Sequence, residues 1–364
     1  MITQGSVLFY FIFPFFIMLL ALSGYKGKKM GRVLLVILLF FSMFRGKNVG
    51  NDTKTYMAED IVQASSVLFD SFMENGAQEE YGRKTEIVSL GTYWIVYTLD
   101  LPPRTIICVF SIIQMLFLFY AFKRLNINTS LGLSLYVLFG LYFFSLSAAR
   151  QMAAVSVFIF GATFIFESGK KKYLFFPYVI LASLIHTSAI FFIWVFFLPM
   201  LKVKRKSLIV LMSIICLFMV ITSVNFINYF PGIYKINYLS GYEGLFTDTS
   251  RTSIFVRVYD LINYLFFIYL FSLRKGSRDC DNYDLLFGVA VILMALFSHS
   301  SGLLSRVSYY LIVFNSFYVA KVLIDKRLLS NKEFRQIFLL YLLVKIVGMK
   351  GWDVALTSGY YLMF

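Results

Sequence analysis

Long apolar runs recur along the whole chain, and several exceed anything a water-soluble core helix needs. Crossing the hydrocarbon of a bilayer takes about 20 predominantly apolar residues, with a range of about 17–25. Segments near 6–22, 33–44, 105–121, 131–147, 152–168, 173–185, 187–200, 207–224, 257–273, 283–297, 307–324 and 335–348 read as such spans, some of them short. The chain therefore reads as an all-α, polytopic integral membrane protein with about 12 transmembrane helices, some short or re-entrant. Composition agrees. Hydrophobic residues make up 59% and charged residues 15%, against about 45–50% and about 25% in soluble domains. That balance excludes a soluble enzyme, a nucleic-acid binder and a disulfide-stapled secreted fold. Cys108, Cys216 and Cys280 lie too far apart for a metal or redox spacing. The first apolar stretch lacks a small-x-small exit and reads as an uncleaved helix. With no internal repeat or linker, residues 1–364 read as a single transmembrane domain.

The formal net charge is +15, and in a polytopic protein basic loops first report orientation. Lys26, Lys28, Lys29 and Arg32 follow the first span and put its carboxyl end inside. Alternation then places Lys123–Arg124, Lys170–Lys171–Lys172, Lys202–Lys204–Arg205–Lys206, Arg274–Lys275–Arg278 and Lys326–Arg327 on the same side. Between Lys172 and Lys202 the chain is apolar, yet both ends are basic. Two short helices meeting near His186, each of about 13 residues and about 20 Å, keep both ends inside. Their tip then lies within the bilayer depth, towards the outer face. The outer loops are about 45–104 and 225–256. The first carries Asp52, Glu59, Asp60, Asp70, Glu74, Glu79, Glu80 and Glu86, and contains an apolar stretch, 87–99, too short to span.

Charges at membrane depth are costly and usually face a cavity or partner. Arg45, Asp52, Arg150, His186, Arg251, Arg257 and Arg306 fall at or near the outer face. Few acids lie beside Arg150, Arg251, Arg257 and Arg306 in sequence. An arginine at a span end can simply snorkel to the interface. Several on the side that basic residues avoid point instead to an anion, and the guanidinium fork matches phosphate oxygens. A diphosphate headgroup on a lipid tail suits that depth. His186 reads either as an interhelical hydrogen-bonder or as a general base, its type titrating near neutrality. His299 reads as a loop residue. Asp52 either pairs with Arg45 or orients a sugar hydroxyl. Tyr56 and the outer tyrosines form an interfacial belt or a carbohydrate-stacking surface. Asp279–Cys280–Asp281 reads as a solvated loop rather than a metal motif. No nucleotide-phosphate or zinc-protease motif appears, so no metal and no cofactor are expected.

Four segments carry a likeness: FRGKNVGNDTKTY (44–56), ARQMAAVSVFIFGA (149–162), YLFFPYVILASLIHTSAIFF (173–192) and RVSYYL (306–311). Together they resemble the EpsG family of Wzy-like bacterial polysaccharide polymerases. That family shows an Arg, then Gly-x-Asp, then Tyr after the second span; an Arg-Gln opening a later span; and a His between two short helices. Asn51 stands before Asp52 where a small residue such as Thr is usual. The resemblance implies a fold similar to lipid-dependent GT-C-like glycosyltransferases. It also implies a polymerase in the bacterial cytoplasmic membrane, its active site facing the exterior, that joins oligosaccharide repeat units carried on undecaprenyl diphosphate. On this reading His186, Arg150, Arg306 and Asp52 are catalytic, and Arg45, Tyr56, Arg251 and Arg257 bind substrate. Partners would be the lipid-linked oligosaccharides, membrane lipids and a chain-length regulator, with no nucleic acid. A ligase using the same lipid donor needs the same groups. A flippase or transporter would prefer charges through both leaflets and internal symmetry, which the sequence lacks.

Overall fold

The computed structural model describes residues 12–20, 29–50, 52–75, 86–222, 254–273, 279–297, 302–323 and 331–347. Every regular element among these residues is helical, and an isolated antiparallel bridge joins Lys204 to Asp279. The chain divides into two compact units, one of Met1–Phe196 with Lys345–Phe364 and one of Phe197–Val344.

In the first unit α1 spans Met30–Met43, α2 Thr53–Tyr56, α3 Glu59–Asn75, α4 Ile87–Thr98, α5 Arg104–Arg124, α6 Thr129–Leu138, α7 Leu141–Ser147, α8 Ala149–Ala162 and α9 Phe175–Ile185. Its centre is α8, where every residue from Gln151 to Ile159 is buried. Small side chains (Ala149, Ala153, Ala154, Ser156) let α5 and α9 pack closely against it. Hydrogen bonds between helices add direction, since a polar group in an apolar layer needs a partner. Ser42 and Ser111 hydroxyls meet at 2.8 Å, Gln114 donates to the Tyr136 hydroxyl at 2.8 Å, and Tyr142 donates to the Leu38 carbonyl at 2.8 Å.

The expected span 131–147 is broken. Gly140 has φ +76°, a conformation that L side chains rarely adopt, and α6 and α7 meet there at 65°. The segment after α9 also departs from a plain helix pair. Thr187–Met200 is a 3-10 helix, which rises about 2.0 Å per residue rather than 1.5. The chain does reverse at His186. Phe196 returns to the start of α9, with ring centroids 5.7 Å from Tyr173, 6.0 Å from Phe175 and 4.6 Å from Phe176.

In the second unit α10 spans Arg205–Thr222, α11 Ile254–Leu273, α12 Asn282–Phe297, α13 Gly302–Leu323 and α14 Lys332–Val347, whose last three residues belong to the first unit. α10 packs on α11 and α12, and α12 on α13. A buried ion pair fixes one end. Arg205 Nη1 meets Asp284 Oδ2 at 3.2 Å, its Nη2 donates to the Phe271 carbonyl, and Tyr318 donates to Asp284 Oδ1 at 3.2 Å. The Asp279–Cys280–Asp281 run leaves both aspartates exposed and Cys280 half-buried, and it is tied down at two points. Asp281 Oδ1 accepts from Asp284 N at 2.8 Å and so caps α12, while Cys280 N donates to the Val203 carbonyl at 3.0 Å.

Among the described residues, Arg104–Arg124, Ala149–Phe166 and Arg205–Thr222 are long and apolar enough to cross a membrane, and α6 with α7 makes a fourth if the bent pair is one span. Shorter apolar helices include Met30–Met43 and Asn282–Phe297. At 1.5 Å per residue a 14-residue helix covers about 21 Å, short of a hydrocarbon core of about 30 Å. On α10, Val210, Ile214, Leu217, Phe218 and Ile221 all lie more than half exposed. A contiguous apolar wall of this kind belongs against lipid rather than water.

Candidate active site

Two chain reversals in the first unit bring the site together. The first is the loop from α1 into α2. Gly50 takes φ +81°, and a Cβ there would lie 2.1 Å from the Leu146 carbonyl oxygen, so this approach to α7 needs glycine. Thr53 Oγ1 donates to the same carbonyl at 3.1 Å. Arg45 is 1% exposed and holds the loop from within, Nε donating to Thr53 Oγ1 at 3.1 Å and Nη1 to the Ser42 carbonyl at 2.7 Å. Asp52 opens α2 half-buried, and Tyr56 ends it buried.

The second reversal is at His186, where α9 stops. His186 leaves helical geometry (φ −153°, ψ 115°) and its N–H closes the last turn on the Ala182 carbonyl at 2.9 Å. Ser89 on α4 donates to the Ile185 carbonyl at 3.2 Å, tying α4 to this tip. His186 Nδ1 lies 2.7 Å from Ser188 Oγ.

Glu86, just before α4, joins the two. Its Oε1 accepts from Thr187 N at 3.1 Å and from Thr187 Oγ1 at 3.3 Å, and lies 3.9 Å from His186 Nδ1. Its Oε2 lies 3.4 Å from Arg150 Nη1. The carboxylate is 7% exposed. Helix starts leave backbone N–H groups without partners, and an acid placed there satisfies one and favours the positive end of the dipole.

Arg150 stands in the first turn of α8, its guanidinium 5.5 Å from the centre of the Tyr56 ring. Tyr93 on α4 lies within electrostatic reach of Arg150, Tyr56 and Asp52. Arg150 Nε is buried with no hydrogen-bond partner among the described residues. A buried guanidinium nitrogen of this kind is a donor waiting for an acceptor.

Arg150, His186, Tyr56 and Asp52, all marked out in the sequence, thus share one region of the first unit, with Arg45 beneath it. Glu86, which sequence reasoning did not single out, is an acid beside His186. Arg257 is half-buried on α11, and Arg306 lies near the start of α13 with its side chain outside the described residues. Arg251, His299 and the tyrosines of 225–256 also lie outside the described residues. Roles for Arg251, Arg257 and Arg306 rest on the sequence. Among the described residues no three His, Cys, Asp or Glu side chains gather as a metal site.

The family model of the EpsG family matches residues 28–361, nearly the whole chain. The chain belongs to the EpsG family. That family is one of Wzy-like polysaccharide polymerases, and its match runs through Arg45, Asp52, Glu86, Arg150 and His186 together. No curated protein and no solved structure matches the chain. EpsG membership and the apolar helices make this a membrane protein with a polysaccharide-polymerase-like function.

Proposed function

We propose that this EpsG-family protein polymerises oligosaccharide repeat units at the outer face of the bacterial cytoplasmic membrane. It transfers the growing glycan from undecaprenyl diphosphate to a hydroxyl of an incoming lipid-linked unit. The bond from the glycan's anomeric carbon to the diphosphate oxygen breaks, and a bond from that carbon to the acceptor oxygen forms. The acceptor proton goes to His186, and the lipid diphosphate departs. Negative charge gathers on the departing diphosphate, so a fixed cation there lowers the barrier. Arg150 supplies it, helped on the sequence reading by Arg306. Asp52 and Tyr56 face the sugar, and Arg45 keeps their loop in place.

The observation that carries this reading is the pairing of Arg150, whose buried Nε has no partner among the described residues, and His186 across one carboxylate. An anion-binding group and a titratable base at one place are what glycosyl transfer from a diphosphate needs. Deleting the gene in its host and resolving surface glycan on a gel tests it. The expected result is glycan limited to a single repeat unit. An unchanged ladder contradicts it, long polymer left on its lipid would make the protein a ligase, and repeat units trapped inside would make it a flippase.

A further inference from the structure

We infer that Glu86 is the positioning residue of this site: its carboxylate orients His186 and stabilises the imidazolium formed as the acceptor hydroxyl loses its proton. The inference rests on the reading of His186 as the base. Glu86 Oε1 is fixed by the Thr187 N–H at 3.1 Å and the Thr187 hydroxyl at 3.3 Å, and the same oxygen lies 3.9 Å from His186 Nδ1. That last distance is too long for a hydrogen bond and short enough for strong attraction between unit charges. Nδ1 is engaged by Ser188 Oγ at 2.7 Å, so proton transfer from the acceptor falls to Nε2.

The neighbouring charges explain why the site needs this acid. Arg150 on α8 approaches Glu86 Oε2 at 3.4 Å, with Tyr56 of α2 and Tyr93 of α4 around the arginine and Asp52 within electrostatic reach of Tyr93. A histidine asked to take a proton close to a guanidinium meets like-charge repulsion. Glu86 stands against both groups and offsets it. The carboxylate also caps the start of the returning helix, so the side chain that sets the tip of the hairpin is the one that tunes its histidine.

Purified full-length protein in lipid vesicles, supplied with undecaprenyl-diphosphate-linked repeat units, tests this with Glu86→Gln, Glu86→Asp and His186→Ala. Glu86→Gln keeps an oxygen for the Thr187 N–H and removes the charge. Its kcat is expected to fall on the order of 10–100-fold, with KM for the donor within about threefold. Without the carboxylate the imidazolium is less stable, so the acid limb of the kcat–pH profile moves to lower pH, by about one unit. Glu86→Asp keeps the charge and is expected within about tenfold of wild type, with the limb in its original place. A Glu86→Gln enzyme with wild-type kcat and pH profile, beside an inactive His186→Ala, overturns the inference and leaves the base reading standing. Wild-type activity in His186→Ala overturns both. If Glu86→Gln does not fold, a folded but inactive Glu86→Asp overturns the inference.

Discussion

Arg150 is three-quarters covered by protein, yet it meets Glu86 through a single contact of 3.4 Å. Arginine and carboxylate at their best form a two-pronged pair at about 2.7–2.9 Å, so this guanidinium is held in place with donor capacity to spare. Arg150→Ala is expected to lower the polymerisation rate on the order of 10²–10³-fold, as loss of one oxyanion donor does. Arg150→Lys should restore little, because an ammonium has no planar fork. Initial rates of polymer formation check both. Gly50→Ala is the backbone counterpart. A methyl 2.1 Å from the Leu146 oxygen, at φ +81°, must push the loop off α7, costing on the order of 1–3 kcal/mol. A lowered melting temperature in detergent, with activity lost through Asp52 and Tyr56, is the expected result. Arg150 and His186 were legible in the sequence because each is an expensive residue in an apolar setting. Glu86 was one of nine acids in the outer loop, and its partners Thr187 and His186 lie about 100 residues further on. Its place at the head of the apolar 87–99 segment was the one signal that could have found it.

At the scale of elements, the hairpin follows from the basic residues at both ends of 173–201. A single crossing would put one cluster on the wrong side. Hydropathy cannot show that its second arm is a 3-10 helix, since both helix types bury the same apolar residues. The break at Gly140 was likewise hidden inside a continuous apolar run, where the glycine is the sole cue. Cysteine placed at Thr187, with Cys108 and Cys216 replaced by Ser, is expected to react with an impermeant maleimide from outside. Labelling from inside alone would contradict the hairpin's orientation. Cys280 should not interfere. Burial, with Asp284 adding to it, pushes its thiol up to about 11, so at pH 7 it is a thiol and not the reactive thiolate. Its labelling should rise as pH approaches that value, and rapid labelling at pH 7 would contradict its burial.

At the scale of the whole molecule, the all-helical class and the lipid-facing surface were legible from composition and run length alone. The division into two compact units was not, because no linker or change in composition marks residue 196 or 345. The second unit is locked by Arg205 and Asp284, whose side chains are 11% and 3% exposed. Arg205→Ala leaves a buried carboxylate with its cation gone, at a cost of about 3–5 kcal/mol. It should lower the denaturation midpoint of the purified protein strongly, and an unchanged midpoint would contradict the lock. The central claim is that one region of the first unit, Arg150 and His186 about Glu86, performs glycosyl transfer from a lipid diphosphate. The most direct measurement is chain extension by the purified protein in vesicles, given undecaprenyl-diphosphate-linked repeat units as both donor and acceptor. Wild type is expected to build a ladder of polymer and release undecaprenyl diphosphate, while folded Arg150→Ala and His186→Ala leave the units unjoined. A ladder of equal length from either variant, or no extension by wild type, would contradict it.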